Sequence, residues 1–225
     1  MPKAKRERYF TPETIEIKSA EMMRWREAYN QNHPSDFKPH RSALLGLDLQ
    51  AYFLEEKNHA FIPSSAAIIP NINSMVQAYA RRNLPIFFTR HVNTIQDAGL
   101  MATWWRELIV KDNPLSEIDH RIDYSHGIII EKSRYDAFFM TPLEENLRKL
   151  EVSQVVICGV LTHLCCETTA RSAFMRGFEV YFTVDGTATY NEDFHRAALL
   201  NLAHGFAHLV RVRDILAALK ENHEA

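Results

Sequence analysis

Neither sign of charge predominates in this sequence, and no stretch of it is long and apolar enough for a bilayer. Lysine and arginine number 26 against 28 aspartates and glutamates, for a net charge of −2, and the two signs are interspersed. That balance excludes the basic face that nucleic-acid backbones require. The longest apolar runs fall far short of the roughly 20 residues that span a membrane. The opening residues are charged, with no signal-like apolar core behind them, so the expected compartment is the cytoplasm. Cysteine is scarce: three in 225 residues, two of them adjacent, which makes no disulfide framework. What the chain does have is apolar side chain, 46% of residues, in a length that ordinarily forms one domain with a sizeable core.

The most informative stretch is 155–170, VVICGVLTHLCCETTA. Its continuous apolar start predicts a strand buried on both faces. The run breaks at Gly159 and resumes from Thr162 with helical spacing, which predicts strand, tight turn and helix. A cysteine in the first turn of a helix meets unpaired backbone N–H groups and a partial positive charge, which favour a thiolate and can hold an oxyanion. Cys166, Ala170, Ala173, Phe174 and Gly177 share one helical stripe and predict the face packed on the sheet. Cys165 stands about 100° away from that stripe and is free to point at the strand ends. Cys158, inside the strand, reads as a small core residue.

Along the rest of the chain, residues 1–10 read as a loose arm. Thr11 and Pro12 read as a helix start, and 32–39 as a polar connector. Residues 42–48 form an apolar run closed by Asp48, an acid that at such a position caps a loop more often than it carries protons. Helical spacing runs from Ser64 to about Arg82. A second strand, 85–91, ends in His91, a hydrogen-bonding residue or a substrate contact. The connector 92–125 carries Trp104 and Trp105, and connectors this long tend to carry function. A third strand, 126–131, is followed by Lys132. Thr141 to Glu144 reads as a capping box, 178–184 as a fifth strand, and 185–188 as a polar loop. Asn191 reads as the cap of a helix, 207–212 as a sixth strand and 213–221 as an amphipathic helix. Strands alternating with helices predict a parallel α/β sheet with right-handed crossovers.

Three of these features, in order, resemble the motifs of the isochorismatase-like cysteine hydrolase superfamily. They are LLGLDLQ at 44–50, IEKSRYDAFF at 130–139, and GVLT, Cys165 and Thr169-Ala170 with Ala173 and Gly177. The resemblance runs from about residue 42 to the end. It divides the chain into an N-terminal extension, 1–40, partly helical, and a hydrolase domain, 41–225. It implies a three-layer α/β/α sandwich with strand order 3-2-1-4-5-6. It also implies a catalytic Asp48, Lys132 and Cys165, with oxyanion-binding backbone N–H groups at Leu161 and Cys165 and a cis peptide before Leu161. Pocket candidates are Gln50, Phe53, His91, Trp105, Arg134, Tyr135, Phe138 and Thr162. The family's D-A-x-A run has Gly186 in place of its first alanine.

The activity this implies is hydrolysis of an amide or related C–N bond in a small molecule through a thioester, without a cofactor. True isochorismatases instead cleave an enol ether, using the aspartate as general acid. Arg134-Tyr135, the segment 99–105 and the N-terminal extension resemble that branch, whereas Thr162 and Cys165 have the cysteine-hydrolase form. Nicotinamidases build a metal site on D-x-H after the second strand. Here the positions read His91-Val92-Asn93, so no metal is expected. A non-catalytic binding subunit is the remaining alternative, disfavoured by the complete set of three. Trp25, Trp104 and Trp105 suggest a homodimer or larger homo-oligomer.

Overall fold

A computed structural model describes residues 5–24 and 36–221 of the chain; Trp25 and residues 32–35 of the connector lie outside them. Helix α1 covers Ile15–Met22. The apolar runs form strands β1 (Ser42–Leu47), β2 (Ile86–His91), β3 (Ile128–Lys132), β4 (Gln154–Val160), β5 (Glu179–Ala188) and β6 (His208–Val210). All pair in parallel, in the order β3-β2-β1-β4-β5-β6. Every residue of β1, β2 and β4 is buried, as expected of central strands covered on both faces. Between the strands run α2 (Ala51–Leu54), α3 (Ser65–Arg81), α4 (Met101–Trp104), α5 (Leu143–Lys149), α6 (Glu167–Met175), α7 (Glu192–Gly205) and α8 (Val212–Glu221). α3 and α8 pack on one another and on β5, while α6 and α7 pack on one another. The chain builds outward from β1 to β3, then returns to β4. The carboxyl ends of β1 and β4 therefore flank the crevice where such sheets bind ligands.

Gly159 makes that neighbourhood possible. Its φ is +118°, and a Cβ there would lie 2.1 Å from the carbonyl oxygen of Leu47. Strands β1 and β4 approach too closely for any side chain at the point where the chain turns into the site.

Five details differ from the pattern read off the sequence. First, the described part of the arm, 5–10, is not loose. Tyr9 and Phe10 are buried, the Glu7 N–H donates to the Tyr190 carbonyl at 2.8 Å, and the Phe10 N–H to Ser64 Oγ at 3.0 Å. An aromatic pair in a charged octad has no periodicity to announce it. Second, α1 begins at Ile15, because Thr14 Oγ1 accepts the Thr11 N–H at 3.0 Å and holds 11–14 in a turn. Third, 185–188 is strand. Thr187 and Ala188 pair with Gly159 and Val160 past an irregularity. The polar residues are satisfied locally, with Thr183 Oγ1 donating to the Ile157 carbonyl at 2.7 Å and Thr187 Oγ1 to that of Thr183 at 2.9 Å. Fourth, β6 stops at Val210, because Asp185 Oδ1 accepts the Val212 N–H at 2.8 Å and starts α8 there. Fifth, Thr141 makes no capping box. Its hydroxyl accepts the Leu143 N–H at 3.3 Å and donates to the Ala137 carbonyl at 2.5 Å, but Glu144 pairs with Arg148 and Arg176 instead of reaching back.

Candidate active site

Asp48 follows β1 with φ +49°, a left-handed conformation that aspartate tolerates better than most residues. Thr89 of β2 holds it there twice. The Asp48 N–H donates to Thr89 Oγ1 at 3.1 Å, and the Thr89 hydroxyl donates to Asp48 Oδ1 at 2.6 Å. Lys132, the last residue of β3, pairs in register with His91 at the end of β2. Its side chain is fully buried, and its Nζ lies 2.7 Å from Asp48 Oδ2. The same ammonium donates to the Arg134 carbonyl at 2.9 Å and reaches Cys165 Sγ at 3.5 Å.

Cys165 sits in a π-helical turn, Thr162–Cys166, that leads into α6 after a cis Val160–Leu161 peptide. The Cys166 N–H reaches back five residues to the Leu161 carbonyl at 3.2 Å. Cys166 is buried in the hydrophobic core, whereas Cys165 lines a cavity. Such one-turn π segments frequently occur at functional sites. Phe174, expected on the packed stripe, lies at its edge against Phe206, while Ala170 and Ala173 face inward.

The cavity has a volume of about 600 Å³. Of the pocket candidates, Phe53, His91, Trp105 and Tyr135 line it, as do Leu161 and Cys165. The Trp105 indole donates to the Tyr135 hydroxyl at 2.7 Å across one wall. The other four candidates point elsewhere. Gln50 is buried as a clamp: its Nε2 donates to the carbonyls of His91 (3.0 Å) and Ser116 (2.7 Å), and its Oε1 accepts the His91 N–H (2.8 Å). Thr162 bonds His195 Nδ1 at 3.0 Å, Phe138 stacks on Phe178, and the Arg134 guanidinium lies over Phe139. Residues not anticipated also line the cavity: Arg6 from the arm, Tyr52 and His59, Arg106 and Glu107 from the connector, and Tyr190. Tyr52 and Tyr190 neighbour recognisable motifs, but nothing in the sequence pattern connects Arg6 to a site so far along the chain.

The Isochorismatase domain family matches residues 42–214. The chain belongs to the isochorismatase family of hydrolases. It is 41% identical over 186 residues to Nicotinamidase 3 of Arabidopsis thaliana, covering 80% of this chain and 90% of that protein. It is 28% identical over 185 residues to Enterobactin synthase component B of Escherichia coli K12, covering 81% of this chain and 65% of that one. A solved cysteine hydrolase from Pseudomonas syringae pv. phaseolicola shares the fold, with a TM-score of 0.81 at 23% identity over 84% of this chain and 97% of that chain.

The electrostatics of this isochorismatase-family site reverse one expectation. Burial pushes the Cys165 thiol up and the Asp48 charge adds to this; Lys132 opposes both without overcoming them. The resting state is therefore a thiol, because the cysteine is buried beside a carboxylate. For Asp48, burial alone would raise the pKa, but the Lys132 charge and hydrogen bonds bring it below the usual carboxylate range. Lys132 shows the mirror image, with desolvation outweighed by Asp48 and Cys165 and a net upward shift. At neutral pH the trio is carboxylate, ammonium and thiol.

Asp48, His91 and Cys165 bring three ligand atoms within 4.8 Å of one another, which raises the metal site of the nicotinamidase branch. The residues do not fit one. Lys132 Nζ stands where the donors converge, 2.7 Å from Asp48 Oδ2, 3.4 Å from His91 Nδ1 and 3.5 Å from Cys165 Sγ. The other His91 nitrogen, Nε2, is bonded to Asn93 Oδ1 at 2.8 Å. A fixed ammonium already supplies the positive charge that an ion would bring, and it repels one.

Shielded histidines set the acid limit of the fold. Burial lowers His91 and His163 to about 4 and His195 to about 3. Below roughly pH 6.5 the unfolded chain protonates these rings while the native state does not, so stability falls as pH drops. Asp185 works in the opposite sense, because burial raises it to about 6 and the native state keeps its proton. Two net protons then favour the unfolded chain near pH 5, a slope of roughly 3 kcal/mol per pH unit. Urea midpoints at about pH 6.5 and about pH 4.5 check this, and unchanged midpoints would contradict it.

Proposed function

We propose that this chain is a cysteine-dependent amidohydrolase acting on a small molecule, with Asp48, Lys132 and Cys165 as its catalytic residues. The observation that carries this reading is Lys132 Nζ, set between the Asp48 carboxylate and Cys165 Sγ at 2.7 and 3.5 Å. A nicotinamidase among its relatives supports the amide as substrate class. Because the resting thiol is not ionised, the proton leaves Sγ for Asp48 as the sulfur–carbon bond forms. Lys132 stays protonated and faces the charge throughout. The N–H groups of Leu161 and Cys165 hold the oxyanion of the tetrahedral intermediate. Asp48 then passes its proton to the departing amine, leaving a thioester on Sγ. Water, deprotonated by Asp48, attacks the thioester; the carbon–sulfur bond breaks, the acid leaves, and Asp48 returns the proton to Sγ. The net reaction is amide plus water to carboxylic acid plus amine or ammonia.

The test is intact-protein mass spectrometry after rapid acid quench with a panel of small amides, followed by digestion. The expected result is an acyl adduct on Cys165 with amine released. Turnover with no adduct under burst conditions would remove the covalent step.

The two remaining features belong to the same reading. The three cysteines are free thiols, as suits a reducing cytoplasm. Trp104 is 70% exposed on α4, and Ile128 and Ile129 of the edge strand β3 are 54% and 43% exposed, an apolar surface that suits a homo-oligomer. Light scattering across micromolar concentrations should give at least twice the chain mass, and a monomer throughout would refute this.

A further inference from the structure

The cavity takes its charge from two arginines that the catalytic chemistry does not use. Arg6 comes from the N-terminal arm, ahead of the matched family region, and Arg106 from the connector. In the arm, Lys5 is paired with Glu7 at 2.7 Å and Arg8 with Glu56 at 3.4 Å. Arg6, between them, turns the other way. Its guanidinium lies over the Tyr190 ring, 4.8 Å from the centroid, and Nη1 donates to the Phe61 carbonyl at 3.2 Å. Most of its five N–H donors remain available. Arg106 lines the same cavity as Tyr52 and His59. Among the described residues, no carboxylate lies within ion-pair distance of either guanidinium. The acid of the lining, Glu107, is already engaged by the Tyr52 hydroxyl at 2.8 Å and His59 Nδ1 at 3.3 Å.

A cavity otherwise walled largely by aromatic and aliphatic side chains thus has two cations and one committed anion in its lining. Arginine over an aromatic ring is held in place while it presents a planar fork to a carboxylate. No glycine lines the cavity, so the backbone cradle typical of phosphate sites is missing. We propose that Arg6 and Arg106 bind a carboxylate on the substrate remote from the scissile bond, so that the preferred substrates are anionic amides. The N-terminal arm is then part of the substrate site. The inference rests on the amidohydrolase reading for its scissile group and on the two arginines for its charge.

The test compares benzamide with 3- and 4-carbamoylbenzoate, which share an amide and differ by one carboxylate. Hydrolysis is followed by ammonia release, and binding by calorimetry on Cys165→Ala protein. The wild type should favour a carbamoylbenzoate at least about tenfold, mainly through KM, and Arg6→Gln and Arg106→Gln should each cut the preference about fivefold. Arg6→Lys should restore part of it, and added salt should weaken it. The anionic:neutral ratio is read because a merely loosened arm would lower both substrates alike. Equal hydrolysis of the neutral and anionic amides, or a preference unchanged in both glutamine variants, overturns the proposal and leaves the amidohydrolase reading standing. Arginine-dependent binding of the anionic probe without ammonia release upholds the carboxylate site and overturns amide chemistry. Binding and turnover of none of the three probes overturns the proposal.

Discussion

Cys165→Ala should lower kcat on an amide by at least about a thousandfold, equivalent to roughly 4 kcal/mol of barrier. In the proposed mechanism the substitution removes the atom that forms the covalent bond, so no neighbouring group can substitute for it. Cys165→Ser should recover little. A hydroxyl is harder to deprotonate than a thiol, and Asp48 is held below the usual carboxylate range by Lys132 despite its burial. Asp48→Asn should be as damaging, since every proton in the cycle passes through that carboxyl. The pair of variants also separates two chemistries within the family. In enol-ether hydrolysis Asp48 protonates the substrate directly, and Cys165 has no covalent role. An active Cys165→Ala enzyme beside an inactive Asp48→Asn one would therefore replace amide hydrolysis with enol-ether cleavage.

Lys132→Met should destabilise the protein by about 3–5 kcal/mol, the usual cost of removing one partner of a buried ion pair. The methionine fills similar space but leaves the Asp48 carboxylate, fully buried, without its counter-charge. The deficit should depend on pH. In the variant the folded-state pKa of Asp48 rises above its unfolded value, so the native state binds the extra proton and the Asp48 penalty shrinks as pH falls. A second change, Asp48→Asn in the Lys132→Met background, should restore much of the lost stability while leaving the protein inactive. Urea unfolding of the single and double variants at two pH values measures this. A pH-independent deficit that the second change does not relieve would mean that Lys132 acts through packing alone.

The sequence by itself determined the six strands and where β1 and β3 end in Asp48 and Lys132. Apolar stretches opening at 42, 85 and 155 predict strands buried on both faces, and the alternation with helical stretches calls for crossover helices. Asp48 and Lys132, which close the first and third strands, then emerge at carboxyl ends, and the family resemblance, through its strand order, places Cys165 beside them. Chain direction and local pattern give the strand ends, whereas the pairing of β1 with β4 that joins them came from the resemblance and is present in the fold.

What only the tertiary structure decided is where the polar side chains near those ends point. Gln50, in a family motif, is spent on His91 and Ser116, and Thr162 on His195, because unpaired polar groups in this interior cost too much to leave open. Thr89 became the support of Asp48 through a contact 41 residues away in sequence. The depressed Asp48 and the un-ionised Cys165 depend on burial, which a helix-start argument does not contain. Arg6 reaches the cavity because Tyr9 and Phe10 anchor the arm in the core, Tyr9 accepting the Thr189 N–H at 2.9 Å. Contacts between segments this far apart leave no periodicity in either one, so only the folded chain shows them.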